Sequence, residues 1–161
     1  MKQILSFTLN GEQVDLVVKP TETLLDVLRN DLGLIGAKEG CSQGVCGSCT
    51  VLLNGEAVRS CLTLAVEAQG CEVTTIEGLV KDRSLDPLQD AFARLGGVQC
   101  GFCTPGMIIA AKSLLNKNPR PSESEIRDAL SGNMCRCTGY AKIVESVKGA
   151  VDASDKAVKT L

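Results

Sequence analysis

Nine cysteines are the residues of this chain best suited to chemistry, and eight of them fall into two sets. The first set is Cys41, Cys46, Cys49 and Cys61, spaced C-x4-C-x2-C-x11-C. The second is Cys100, Cys103, Cys135 and Cys137, spaced C-x2-C-x31-C-x-C. Four thiolates per set are what a [2Fe–2S] or [4Fe–4S] cluster requires. Two clusters in one small chain suggest an electron relay, because a catalyst needs only one redox centre beside its substrate.

The rival metal is zinc, and the two sets weigh it differently. Zinc ribbons prefer two C-x2-C pairs, and the C-x4-C-x2-C run of the first set does not fit that. Its C-x4-C-x2-C run with a later fourth cysteine is the plant-type ferredoxin spacing. Gly40, Gly44 and Gly47 let that loop fold tightly, so that backbone N–H groups can point at sulfur. The second set, taken alone, suits zinc as well as iron. Disulfides fit poorly without a secretory signal, and Cys135 and Cys137 are too close to pair comfortably. Cys71 stands alone and reads as a small buried hydrophobe. Arg136, between two ligands, reads as a solvated or ion-paired side chain. Lys38, Glu39, Glu56 and Glu67 form no acid–base constellation.

Composition removes much else. The 161 residues contain no histidine, which excludes Rieske clusters, Cys2His2 zinc and any histidine base. Aromatic residues make up 2% of the chain, net charge is −2, and no basic run appears. Nucleic-acid binding is therefore not expected. The first 79 residues carry 5 basic and 10 acidic groups, the remainder 12 and 9, which reads as ordinary scatter. No signal segment or membrane-length apolar run is evident, so the expectation is a protein without direct membrane insertion, placed in the cytoplasm.

The elements that must position the cysteines change character along the chain. Alternation at Leu5, Phe7 and Leu9, the pair Asn10-Gly11, and alternation at Val14, Leu16 and Val18 predict a hairpin. Thr23 predicts a helix start, with Leu24, Val27, Leu28 and Leu32 on its apolar face and Gly33 as its stop. The Gly-rich cysteine loop follows. A second hairpin turns at Asn54-Gly55, and a last strand covers residues 72–76. Residues 77–86 are polar and read as a linker. Helical spacing then takes over. Asp86-Pro87, Thr104-Pro105 and the Ser122/Glu125 box open three helices, and a fourth starts near Ala141. The expected fold is α+β: a β-grasp, plant-type ferredoxin-like domain at 1–78, a four-helix domain at 79–151, and a polar tail at 152–161. Each domain is expected to hold one cluster.

Longer segments add a resemblance. Gln-Cys-Gly-Phe-Cys-Thr-Pro-Gly (99–106) and Gly-Asn-Met-Cys-Arg-Cys-Thr-Gly-Tyr (132–140) resemble signatures of the iron–sulfur subunit, or N-terminal iron–sulfur region, of the xanthine dehydrogenase family of molybdenum hydroxylases. Glu-Gly-Cys-Ser-Gln-Gly-Val-Cys-Gly-Ser-Cys-Thr (39–50) and Thr-Ile-Glu-Gly-Leu (75–79) look like family segments too. The match runs from about residue 4 to 150. It implies two [2Fe–2S] clusters, the first nearer a flavin and the second nearer molybdenum. It further implies that Gln99 and Cys137 contact the pterin of a molybdopterin cofactor. The partners it implies are a large molybdopterin-binding subunit and a medium FAD-binding subunit, arranged as a dimer of heterotrimers. The chain stops where single-chain members continue, so a split, heteromeric enzyme is expected. Relatives that oxidise carbon monoxide, or that reduce a hydroxybenzoyl thioester with electrons running toward molybdenum, share the small-subunit pattern. A stand-alone ferredoxin is the other reading, and Gln99 and the helical half argue against it.

Overall fold

The chain turns back on itself wherever Asn-Gly breaks an alternating run. Asn10 and Gly11 hold φ of 53° and 90°, and Asn54 and Gly55 hold 51° and 82°. Two successive residues of positive φ give the tight turn whose twist matches paired strands. In the computed structural model, which describes residues 2–159 and the side chains of 2–153, these turns join two hairpins. β1 (Gln3–Leu9) pairs with β2 (Glu12–Val18), and β3 (Thr50–Leu53) with β4 (Glu56–Arg59). β5 (Glu72–Thr74) enters between the hairpins, parallel to β1 and antiparallel to β3. The mixed sheet runs β2-β1-β5-β3-β4.

One face of the sheet buries Leu5, Phe7, Val51 and Val73 against Leu24, Val27 and Leu28. Those last residues lie on α1 (Leu24–Asp26) and a π-turn over Val27–Asp31. Thr23 and Asp26 cap each other's backbone N–H, both at 3.1 Å. The spacing predicts one α-helix to Gly33; the structure widens it instead. Leu32 N–H reaches back five residues to Val27 at 3.1 Å. That turn leaves Leu24, Leu25, Val27 and Leu28 all buried, while Leu32 is only partly so.

β5 ends at Thr74, short of the expected 76, and a 3-10 turn over Ile76–Leu79 runs on into the stretch read as a linker. Four helices follow: α2 (Pro87–Arg94), α3 (Thr104–Lys117), α4 (Glu123–Leu130) and α5 (Ala141–Lys159). Asp86 with Gln89, and Ser122 with Glu125, complete reciprocal caps at the starts of α2 and α4. Leu88, Phe92, Met107, Ile109, Ile126, Ile143 and Val147 form the second core, which Leu52 and Leu79 join from the sheet side. Each such side chain contributes about 1.5–3 kcal/mol by leaving water. α5 continues to Lys159, past the end near Val151 that the spacing suggests. Thr160 and Leu161, the rest of the expected tail, lie outside the described residues. No helix among the described residues is long and apolar enough to cross a membrane.

The halves meet where α3 lies on β3 and β4. Close approach there is set by glycine. A Cβ on Gly106, in the first turn of α3, would stand 2.3 Å from the Gly47 carbonyl oxygen. Arg59 Nη2 donates to the Gly132 carbonyl at 2.6 Å, and Arg59 Nη1 to Thr50 Oγ1 at 2.9 Å. Ser113 Oγ donates to the Gly55 carbonyl at 3.1 Å.

Candidate metal centres

Both cysteine sets open onto this seam. The first follows the loop from Gly36 to Cys49, with Cys61 just after β4. In the second, Cys100 and Cys103 precede α3, while Cys135 and Cys137 lie between α4 and α5. Two helix junctions therefore bring four distant thiols together. Cys41, Cys46, Cys100, Cys103, Cys135 and Cys137 line one cavity of about 310 Å³. Cys49 and Cys61 are buried and do not line it. Hollows of about 550 and 690 Å³ elsewhere gather no cysteine.

Within each set the sulfurs pair. Cys41 contacts Cys46, and Cys49 contacts Cys61. Cys103 contacts Cys135, and Cys100 lies 3.6 Å from Cys137, sulfur to sulfur. Among the described residues, no three Cys, Asp or Glu side chains are placed to hold one metal ion. A two-by-two set suits a cluster in which each of two irons takes two thiolates, whereas zinc needs four ligands about one point. The residues present fit a [2Fe–2S] group in both places.

The protein environment treats the thiols unequally. Cys41 Sγ accepts N–H bonds from Cys46 and Gln43, both at 3.4 Å. These bonds hold its pKa down at about 6, well below an ordinary thiol. Burial pushes Cys61 up to about 11, helped by its contact with Cys49. Burial likewise pushes Cys103 up to about 12, with Cys135 adding to the effect. Burial would raise Cys135 too, but hydrogen bonds from Thr138 outweigh it and the net shift is downward. Thr138 Oγ1 lies 3.2 Å from that sulfur. Tyr140 Oη accepts the Cys135 N–H at 3.0 Å, which fixes the loop from its other end. Cys137, beside Cys100, is shifted upward.

The remaining residues singled out from sequence fall as follows. Gln99 and Cys137 are both exposed, on the outer side of the second set. Arg136 is exposed at the cavity. Cys71 belongs to neither set and is half-buried, its sulfur 3.6 Å from the Glu67 carbonyl. Sequence reasoning did not single out Asn133, Arg59, Thr50 or Met134, which tie the loops together. Asn133 and Met134 stand inside the 132–140 segment, next to Cys135, and proximity to a ligand was the available signal. Arg59 ends a strand and carries no local signal at all.

The fold and the paired thiols define an iron–sulfur protein built from two [2Fe–2S]-binding domains. A 2Fe-2S iron-sulfur cluster binding domain model matches residues 7–75, and a [2Fe-2S] binding domain model matches 75–148. The chain is 50% identical over 151 residues to the nicotinate dehydrogenase small FeS subunit of Eubacterium barkeri, covering 94% of this chain and 96% of that one. It is 48% identical to an aldehyde oxidoreductase of Megalodesulfovibrio gigas, covering 89% of this chain but 16% of that longer one. The crystal structure of quinoline 2-oxidoreductase from Pseudomonas putida 86 superposes with a TM-score of 0.91 at 48% identity, covering 96% of this chain and 97% of that chain. The chain belongs to the iron–sulfur small-subunit family of the molybdenum hydroxylases, the xanthine dehydrogenase family. It is an oxidoreductase subunit.

Proposed function

We propose that the chain is the electron-transfer subunit of a molybdenum-dependent hydroxylase or dehydrogenase, linking a molybdopterin centre on a large subunit to FAD on a medium subunit. Its ligands are two sets of four: Cys41, Cys46, Cys49 and Cys61, then Cys100, Cys103, Cys135 and Cys137. The boundary between the two cluster domains falls near residue 78, and the working compartment is the cytoplasm. Each cluster, when bound, takes up and releases one electron.

The observation that carries this reading is the shared cavity. Thiols of both sets line it, so a protein-held path between centres is short. The chain's own residues divide the work. Cys49 and Cys61 are buried and keep the first site's inner pair from water. Cys100 and Cys137 are exposed, so the second site presents its outer pair to a partner. Gln99 and Cys137 there are the contacts to the pterin. An amide offers both a donor and an acceptor to a pterin edge.

The test is the iron, molybdenum and flavin content of the assembly that co-purifies with this chain. About four irons, with one molybdenum and one FAD per chain, are expected from two [2Fe–2S] groups and the named partners. Iron without molybdenum or flavin would restore the stand-alone ferredoxin, and zinc in place of iron would end the electron-transfer account.

A further inference from the structure

The first ligand loop is gripped by the second. Two consecutive carbonyls, those of Cys46 and Gly47, both accept hydrogen bonds from the loop between α4 and α5. Met134 N–H donates to Cys46 at 2.9 Å, and Asn133 Nδ2 donates to Gly47 at 2.9 Å. The Gly47 carbonyl takes two donors more, Thr50 N–H at 3.1 Å and Thr50 Oγ1 at 2.6 Å. A carbonyl has two lone pairs, so three donors load it heavily.

Asn133 is 3% exposed, and among the described residues its Oδ1 is buried without a hydrogen-bond partner. A buried amide oxygen left unpaired is costly, and an apolar side chain would fill the same space without that cost. What the amide supplies in return is the Nδ2 donor at Gly47 and a longer bond to Thr50 Oγ1 at 3.3 Å.

We propose that Asn133 is a positioning residue that sets the reduction potential of the Cys41/Cys46/Cys49/Cys61 centre from the opposite half of the molecule, acting through the Gly47–Ser48 peptide. This rests on the electron-relay reading given above. The peptide lies between two ligands, Cys46 and Cys49, and Ser48 lines the cavity that the thiols share. Donors on a carbonyl polarise the whole amide and strengthen the N–H at its other end. Stronger donors around cluster sulfur raise the potential. Removing the Asn133 donor therefore lowers it, and the electron's preference for the first centre falls.

The experiment is an EPR-monitored redox titration of the full chain in its native assembly, comparing wild type with three variants. Asn133→Ala removes the donor from the second loop. Thr50→Val removes the hydroxyl donor from the same carbonyl within the first half. Ser113→Ala loosens the same seam at Gly55 without touching Gly47. Asn133→Ala and Thr50→Val are expected to lower the first centre's potential by about 3- to 10-fold in the electron's partition between centres, the scale of one hydrogen bond. Tenfold corresponds to ~59 mV for one electron. Ser113→Ala is expected to leave both potentials in place. If Asn133→Ala cannot hold its clusters, Thr50→Val decides alone. Two intact clusters with an unshifted first potential in Thr50→Val or Asn133→Ala would overturn the proposal and leave the relay reading standing. An equal shift in Ser113→Ala would overturn it too, because seam loosening alone would then explain the effect. A wild-type chain without cluster signals would sink the relay reading itself, and this proposal with it.

Discussion

The backbone N–H of Met134 donates to the carbonyl of Cys46 across 2.9 Å. The donor stands next to Cys135 and the acceptor belongs to Cys46 of the other set, so the two loops share a hydrogen bond as well as a cavity. The two halves, each with its own buried core, thus meet beside the cavity that the cysteines line. Anything that forces the halves apart is felt at both centres.

Gly106→Ala tests that meeting directly. Alanine favours a helix over glycine by about 1 kcal/mol. Here the added methyl would stand 2.3 Å from the Gly47 carbonyl oxygen and 3.0 Å from Asn133 Nδ2. Overpacking against backbone costs roughly 1–3 kcal/mol. Contact with rigid backbone puts the clash at the upper end of that range, so it should win, giving a net loss of up to about 2 kcal/mol in urea unfolding of the cluster-loaded chain and faster loss of iron. A stabilised Gly106→Ala protein would show that the seam is loose.

The ligand sets can be counted by substitution. Cys103→Ser removes a thiol paired with Cys135 and should cut bound iron to about two of four, with the first cluster's visible spectrum kept. Cys71→Ser should leave iron content unchanged, because among the described residues that sulfur's hydrogen-bond partners are the carbonyls of Glu67 and Gln69. Iron analysis of the two variants beside wild type gives the answer. Loss of iron in Cys71→Ser would break the assignment of eight ligands.

Much of this arrangement was legible in the sequence, for a reason that also marks where legibility ends. Asn10-Gly11 and Asn54-Gly55 specify their own φ angles, and Ser122 with Glu125 specifies its own cap, so hairpins and helix starts are readable from a few adjacent residues. The cysteine sets are readable because each ligand type and gap is itself the chemical requirement. The π-turn at Val27–Asp31 was not readable. It accompanies the burial of Leu24, Leu25, Val27 and Leu28 in a core whose shape comes from the sheet. Arg59 and Asn133 were missed for the same reason. Their partners, Gly132 and Gly47, are 73 and 86 residues away, and only docking of the halves brings them together.

Arg59 makes the next prediction. Its guanidinium reaches Thr50 Oγ1 and the Gly132 carbonyl at once, a fork that one ammonium cannot copy. Arg59→Met should cost about 1–2 kcal/mol, at the lower end for charged hydrogen bonds because the side chain is only half-buried. Arg59→Lys should recover less than half of it. A double-mutant cycle with Thr50→Val separates the two arms: the coupling should account for the Thr50 bond, with the Gly132 bond left as the remainder. Full rescue by lysine would mean that charge, and not the fork, holds the loops.

The start of α4 carries the pH prediction. Lys148 first, and then Arg127, hold Glu123 below the usual carboxylate range, with bonds of 2.9 and 2.8 Å. The Ser122 N–H, at 2.7 Å, holds Glu125 below that range as well. For each, the folded value lies under the unfolded one. The stabilisation is therefore complete above the unfolded carboxylate value, about pH 4.3, and is lost as pH falls through the folded value. The two differ in salt sensitivity. Glu123 acts through exposed ion pairs, including the one that ties α4 to α5, and added salt screens these. Glu125 acts through a backbone cap that salt leaves largely intact. Melting temperatures of wild type, Glu123→Gln and Glu125→Gln, taken from pH 7 to 3 at low and high salt, check both points. The gap between each variant and wild type should narrow toward acid pH, because wild type loses there what the variant already lacks. At high salt, the gap for Glu123→Gln should shrink even at pH 7 while that for Glu125→Gln persists. A gap that widened in acid would reverse the sign argued here, and equal salt sensitivity would mean that the cap and the ion pairs are not separate contributions.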